Sequence, residues 1–254
     1  MQNRLKTNKV TSIVVVCLAM IMLGGCVTVY NPATQRNESL LIDTPTEVSL
    51  GRDMDISLQN KMKMLNDSLM QARLDAIGKR VALVSDRQDL KYYFRIVSDK
   101  EFNAFAIPGG FIYVNSGLMQ AASDDELACV LAHEIGHIAA KHSVKKLQAT
   151  LSYNILMSII VGATGEKTIA QLVDVFVFNP ATLAYSRQDE LLADKLAVRY
   201  AKRAKFNPYG MVTFFEKLKK EKEKTPQLRI EIFSSHPDMD ERIKKVKEEI
   251  LTGG

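Results

Sequence analysis

The chain has 254 residues, with 34 Lys+Arg against 29 Asp+Glu, three Cys, no Trp and 46% hydrophobic residues. That balance excludes a collagenous, coiled-coil or wholly disordered chain, and the length is enough to bury a sizeable core. The net charge of +5 does not point to nucleic acid: Arg4, Lys6 and Lys9 are the only charges among the first 25 residues, and 34 less those three leaves 31 basic against 29 acidic residues.

Residues 1–9 are polar and basic, and Val10–Leu23 is apolar apart from Thr11, Ser12 and Cys17. A basic start, a short apolar run and small residues before a cleavage point define a secretory leader over 1–25. The run is too short for a spanning helix, which needs roughly 20 residues. Leu23-Gly24-Gly25-Cys26 resembles a bacterial lipobox, which makes Cys26 the acylated first residue of the mature chain. With Cys17 removed and Cys26 acylated, only Cys129 is left, so no intramolecular disulfide is expected. Val27 rather than Asp after Cys26 favours the outer membrane in a Gram-negative envelope. Residues 26–45 carry two prolines and no lasting periodicity, and read as a lipid-anchored tether ahead of a domain over 46–254.

From Thr46 to Val84 apolar residues recur every three or four positions, with a break at Asn66-Asp67-Ser68, which predicts two helices. Tyr92–Val97 reads as a strand. Phe102–Ile107 and Phe111–Val114 read as two more, joined at Pro108-Gly109-Gly110. A helix is expected from Ser123 past His137, and the uncharged stretch Leu147–Val161 and the apolar stretch Ile169–Phe178 predict a helical hairpin, as core in preference to membrane contact. Further helices are expected over Ser186–Arg203, after Pro208 and from about Asp238. The basic run Lys217–Lys224 contains Glu221 and Glu223 and reads as a solvated helix face.

The chemistry centres on His133-Glu134-Ile135-Gly136-His137. On a helix, His133 and His137 project from one face and can grip one ion, with Glu134 beside them to polarise a water. Ser123 and Glu126 make a capping box for that helix. Gly136, costly in mid-helix, signals that something approaches the backbone closely. A catalytic zinc site needs a third ligand. Continuing the same helix turns His142 away from His137, so His142 reads as a surface residue. Glu190 and Asp194, one turn apart on a largely apolar helix opened by Ser186 and Asp189, are the better source. Glu190 suits a ligand, and Asp194 an acceptor for a ligating imidazole N–H.

HExxH followed by ExxxD, preceded by Asn103–Val114, resembles the HtpX-like gluzincin zinc metallopeptidases, peptidase family forty-eight of the metallo class. Leu50-Gly51-Arg52, Ile77-Gly78-Lys79-Arg80, Ser235-His236-Pro237 and Glu241-Arg242-Ile243 extend the likeness over nearly the whole mature chain. With the lipobox, it is most similar to the periplasmic lipoprotein members. The resemblance implies one Zn2+ held by His133, His137 and Glu190, with Glu134 as general base and Asp194 behind a ligand. It also implies that Asn103, Ala104, Phe105 and Ala106 border the cleft, where a substrate peptide can pair as an added strand. His236 is implied to face the zinc, either donating to the developing oxyanion or filling the open position. Arg187, one turn before Glu190, is a candidate carboxylate partner or oxyanion donor.

The expected fold is α+β and mainly helical, a zincin-type domain with a small antiparallel sheet beside the active-site helix. The expected function is a zinc metalloendopeptidase, lipid-anchored in a bacterial envelope, that cleaves unfolded or misassembled proteins. The rival expectations are an envelope chaperone or assembly lipoprotein with a self-blocked site, and a structural lipoprotein whose HExxH is accidental.

Overall fold

The computed structural model describes residues 27–179, 184–224, 236 and 239–252. The expected leader 1–25 and the acylated Cys26 lie outside the described residues.

The first described segment corrects an expectation. β1 (Val27–Asn31) and β2 (Arg36–Leu40) form an antiparallel hairpin, in place of an irregular tether. Asn31 Oδ1 accepts from the Ala33 amide at 2.9 Å, and Gln35 takes a left-handed φ of 55° to close the turn. The amides of Leu41 and Ile42 donate to Gln148 Oε1 at 3.0 and 3.1 Å, and Lys145 reaches Glu38 at 2.6 Å. The strands escape a periodicity reading because β2 is mostly exposed, so no apolar face alternates along it.

α1 (Thr44–Lys61) starts at Asp43, whose carboxylate accepts from the Thr46 amide, with proline in its first turn. α2 (Ser68–Ala82) starts at Asp67, which accepts from the amides of Leu69 and Met70, at the break the sequence indicated. β3 (Tyr93–Val97), β4 (Ala104–Ile107) and β5 (Phe111–Asn115) form one sheet in the order β3-β5-β4. β5 runs antiparallel to β4 but parallel to β3, so this sheet is mixed. The chain crosses to the far side before the β4–β5 hairpin, which places β5 in the middle. β5 is buried at every position.

The hairpin bend needs its glycines. Gly109 and Gly110 have φ of 81° and 93°, in the left-handed region. The bend is held by Glu47, whose carboxylate takes the Gly109 amide at 3.4 Å and pairs with buried Arg87 at 3.1 Å.

α3 (Ser116–Ala121) leads into α4 (Asp124–Ala139), which opens with the expected Ser123–Glu126 capping box and is buried from Glu126 to Ala139. There follow α5 (His142–Thr150), α6 (Tyr153–Ile160), α7 (Glu166–Phe176), α8 (Arg187–Arg203), α9 (Gly210–Lys224) and α10 (Met239–Thr252). The expected long helix from Leu147 is broken near Leu151-Ser152, between α5 and α6. One core cluster joins α4 to α2, α8, α9 and α10. A second lies between α1, the sheet and α5–α7. α4 therefore runs through the middle of the molecule, with α8 packed along one side and β4 along another. Among the described residues, no helix is long and apolar enough to cross a membrane.

Candidate metal centre and active site

Two capped helices build the site. Ser186 and Asp189 form a capping box that starts α8 at Arg187 and fixes the phase in which Glu190 and Asp194 face α4. The close approach signalled by Gly136 is α8 itself: a Cβ on Gly136 would lie 3.0 Å from Ala193 O and 3.3 Å from Ala193 Cα. Ala193 sits between the two carboxylate residues, so this contact sets how far they stand from the histidines.

All four histidines of the chain meet here, and all are buried. One ligand atom each from His133, His137, Glu190 and His236 falls within a span of 4.8 Å. His133 Nε2 and His137 Nε2 are 3.0 Å apart, and Glu190 oxygens stand 3.5 and 3.4 Å from them. His236 Nδ1 lies 2.9 Å from Glu190 Oε1 and 3.3 Å from His133 Nε2. His133 Nδ1 is 2.8 Å from Asp194 Oδ1. A carboxylate only accepts, so that nitrogen carries a proton, and in the neutral ring Nε2 turns its lone pair into the cluster.

Burial alone would push the His133 imidazole down, but its bonds to Asp194 and Glu190 outweigh this and raise it to about 9. Burial pushes His137 down to about 3, which keeps its ring neutral. Glu190 resists the upward push of burial because His236 and the other two imidazoles hold it well below the usual carboxylate range. Asp194 is likewise held at about 2, against burial, by Arg242 and His133. Glu134 goes the other way: burial raises it. Its Oε1 is buried without a hydrogen-bond partner, with His236 Nε2 at 3.7 Å.

This donor set fits a metal ion. Imidazole nitrogens and a carboxylate converge on one point, and an orphaned carboxylate oxygen stands beside it. Such N/O sets suit zinc, and His133, His137 and Glu190 would hold it, with His236 at the remaining corner.

The pocket at the site is lined by Met54, Phe105, Ile107, Leu147 and Phe176, with Glu134 and His236 among its polar members. Phe105 and Ala106 of β4 thus border it. Asn103 precedes the strand and accepts the Asn115 amide on its carbonyl at 2.9 Å, while Ala104 faces the core. β4 pairs only with β5 among the described strands, which leaves it an edge.

Arg187 is not at the centre. It is largely exposed and pairs with Glu241. The buried cation belongs to Arg242, which sequence reasoning noted only as part of a C-terminal signature. Its Nε and Nη2 donate to Asp194, both at 2.7 Å, and its Nη1 lies 3.0 Å from Glu190 and donates to the His236 carbonyl at 3.2 Å. A signal was present: Met239, Arg242, Ile243 and Val246 share one helical stripe, and a lone Arg among apolar residues needs a buried partner.

Two further residues were missed. His142 is buried, not on the surface, because Lys141 at φ 57° ends α4 and α5 starts afresh in another direction. A continuous helix was the wrong premise. Tyr185 stacks on His137, with ring centroids 4.0 Å apart and planes 25° apart.

Comparison with known proteins agrees with this geometry. Residues 68–250 match Peptidase family M48. The chain is 27% identical over 248 residues to a putative beta-barrel assembly-enhancing protease of Vibrio cholerae, covering 91% of this chain and 49% of that protein. It is 26% identical over 251 residues to the mitochondrial metalloendopeptidase OMA1 of Saccharomyces cerevisiae, covering 89% and 72%. It is 29% identical over 188 residues to the metalloprotease LoiP of Escherichia coli, covering 72% and 71%. The chain spans about half the length of the beta-barrel assembly-enhancing protease it matches. With the family match running from α2 into α10 and across every residue of the histidine cluster, this chain belongs to peptidase family M48.

Proposed function

We propose that the chain is a zinc metalloendopeptidase of a bacterial cell envelope, anchored by lipid at Cys26, that cleaves unfolded or misassembled proteins. The observation that carries this reading is the convergence of His133, His137, Glu190 and His236 within 4.8 Å, with Glu134 buried and unpartnered beside them. A zinc ion there supplies Lewis acidity toward a peptide carbonyl and toward water. Glu134, raised by burial, takes the proton of the attacking water and returns it to the leaving amine. His133 and His137 keep their Nε2 atoms turned inward, Glu190 stays ionised, and Asp194 holds His133. The edge of β4 would receive an extended substrate segment by main-chain pairing, and the apolar pocket beside it would take one side chain. An unfolded chain offers both, a free backbone and exposed apolar residues. The lipobox at Cys26 and the relatives named for beta-barrel assembly support the envelope assignment.

The test is zinc content per chain beside cleavage of an unfolded protein such as casein. About one zinc with chelator-sensitive cleavage is expected. Glu134→Gln should keep the zinc and lose activity by roughly a hundredfold or more, the scale of general-base catalysis. A folded protein supplied with zinc that binds none, or a Glu134→Gln variant cleaving at the wild-type rate, would overturn the reading.

The position of His236 favours a second reading, a chaperone or assembly lipoprotein whose site blocks itself. His236 Nδ1 lies close to both Glu190 and His133, where an incoming substrate or water would sit. His236→Ala separates the two. Cleavage that rises identifies a block, whereas cleavage that falls identifies an oxyanion donor.

A further inference from the structure

A line of polar contacts leads from His137 out to the protein surface. His137 Nδ1 and His142 Nδ1 are 2.9 Å apart, and His142 Nε2 lies 3.3 Å from Asp189 Oδ1. His142 is buried, while Asp189 is partly exposed at the start of α8. The left-handed residue Lys141 turns the chain so that His142, the first residue of α5, points back at the preceding helix. Asp189 meanwhile uses its other oxygen, Oδ2, for the Ser186 cap. The capping box and the contact with His142 therefore fall on separate atoms of one carboxylate.

The chemistry of the groups sets the direction of these contacts. A carboxylate only accepts, so His142 carries its proton on Nε2, toward Asp189. The neutral ring then presents a bare Nδ1 to His137. His137 must donate from its own Nδ1, and its Nε2 is left with a lone pair turned toward His133 and Glu190. Tyr185 restrains the same ring from its face, and its hydroxyl is held by Ser143 Oγ at 2.8 Å. His133 reaches its carboxylate, Asp194, in one step. His137 reaches one in two steps, through His142.

We propose that His142 and Asp189 are positioning residues for the metal centre, a pair that holds His137 in the tautomer whose Nε2 is free to bind zinc. This rests on the zinc-site reading above. Neither residue is placed to touch substrate or the reacting atoms, and each acts through His137.

The experiment measures zinc affinity by chelator competition on the full chain, with side-chain 1H–15N spectra reporting the His137 tautomer. His142→Leu should weaken zinc binding about 10- to 100-fold, the usual loss when the partner of a ligating histidine is removed. It should also mix the His137 tautomers. His142→Asn, which places an acceptor oxygen near the position of Nδ1, should recover most of the affinity. Asp189→Ala should weaken binding several-fold, and more than Ser186→Ala, which breaks the same cap but spares the Asp189 carboxylate. If His142→Leu fails to fold, the comparison of Asp189→Ala with Ser186→Ala decides. Equal affinity in those two variants overturns the proposal, as does His142→Asn binding as weakly as His142→Leu, which would mark a packing role. The wild-type arm keeps the two readings apart: no zinc in wild type overturns the metal site itself, while zinc in wild type and in His142→Leu at equal affinity overturns only the relay.

Discussion

At the scale of single residues, Arg242 bears most directly on stability. Its guanidinium is fully buried, and it is the cation that faces Asp194 and Glu190 at 2.7 and 3.0 Å. A buried ion pair weighed as a whole contributes little, because desolvation offsets attraction. Removing one partner is different, because a charge is left behind in an apolar surround. Among the described residues, Arg242→Met would leave Asp194 with His133 and Glu190 with imidazoles. Unfolding of the metal-free protein in denaturant should show a loss of about 3–5 kcal/mol. Arg242→Lys should recover little of it, since one ammonium cannot replace the two-pronged contact with Asp194. A methionine variant as stable as wild type would show that Asp194 is held well enough by His133 alone.

At the scale of elements, the spacing of α4 and α8 sets the geometry of the site, and Gly136 sets that spacing. A side chain there would meet the α8 backbone at Ala193 and the Cβ of Leu196 at 3.3 Å. Gly136→Val adds three carbons where one already crowds. The strain should lower stability by about 1–3 kcal/mol, as overpacking usually does. Because Ala193 lies between Glu190 and Asp194, displacing α8 should also weaken zinc retention. Wild-type melting and zinc binding in Gly136→Val would show that the helices can part without harm. Much of this pairing was legible in the sequence, since capping boxes at Ser123 and Ser186 and the HExxH and ExxxD spacings are local signals with local causes. What stayed hidden depends on contacts distant in sequence or on unmarked backbone turns. Lys141 enters the left-handed region without a glycine or asparagine to announce it, so His142 was sent to the surface. The order β3-β5-β4 depends on how a loop crosses, which no periodicity records. Arg242 and Asp194 are 48 residues apart.

At the scale of the whole molecule, the hairpin of β1 and β2 changes what an anchor at Cys26 would do. A structureless stretch of about 18 residues would let the domain range roughly 25 Å from the membrane. The observed strand begins at Val27, and the hairpin is fastened to α5 through Gln148 and Lys145. An acylated Cys26 would therefore hold the domain against the lipid surface on its hairpin side, with almost no slack. Exposed Val29, Tyr30 and Leu41 offer that side some apolar contact. Three side chains give far less than acyl chains, each of whose buried CH2 groups contributes about 0.8 kcal/mol. Cys26→Ala should accordingly move the protein from the membrane fraction to the soluble one while leaving its zinc content unchanged. If the variant stays with the membrane, the lipid anchor is not what holds it. The exposed residues Tyr153 and Val161 at the two ends of α6 then become the surface to alter next.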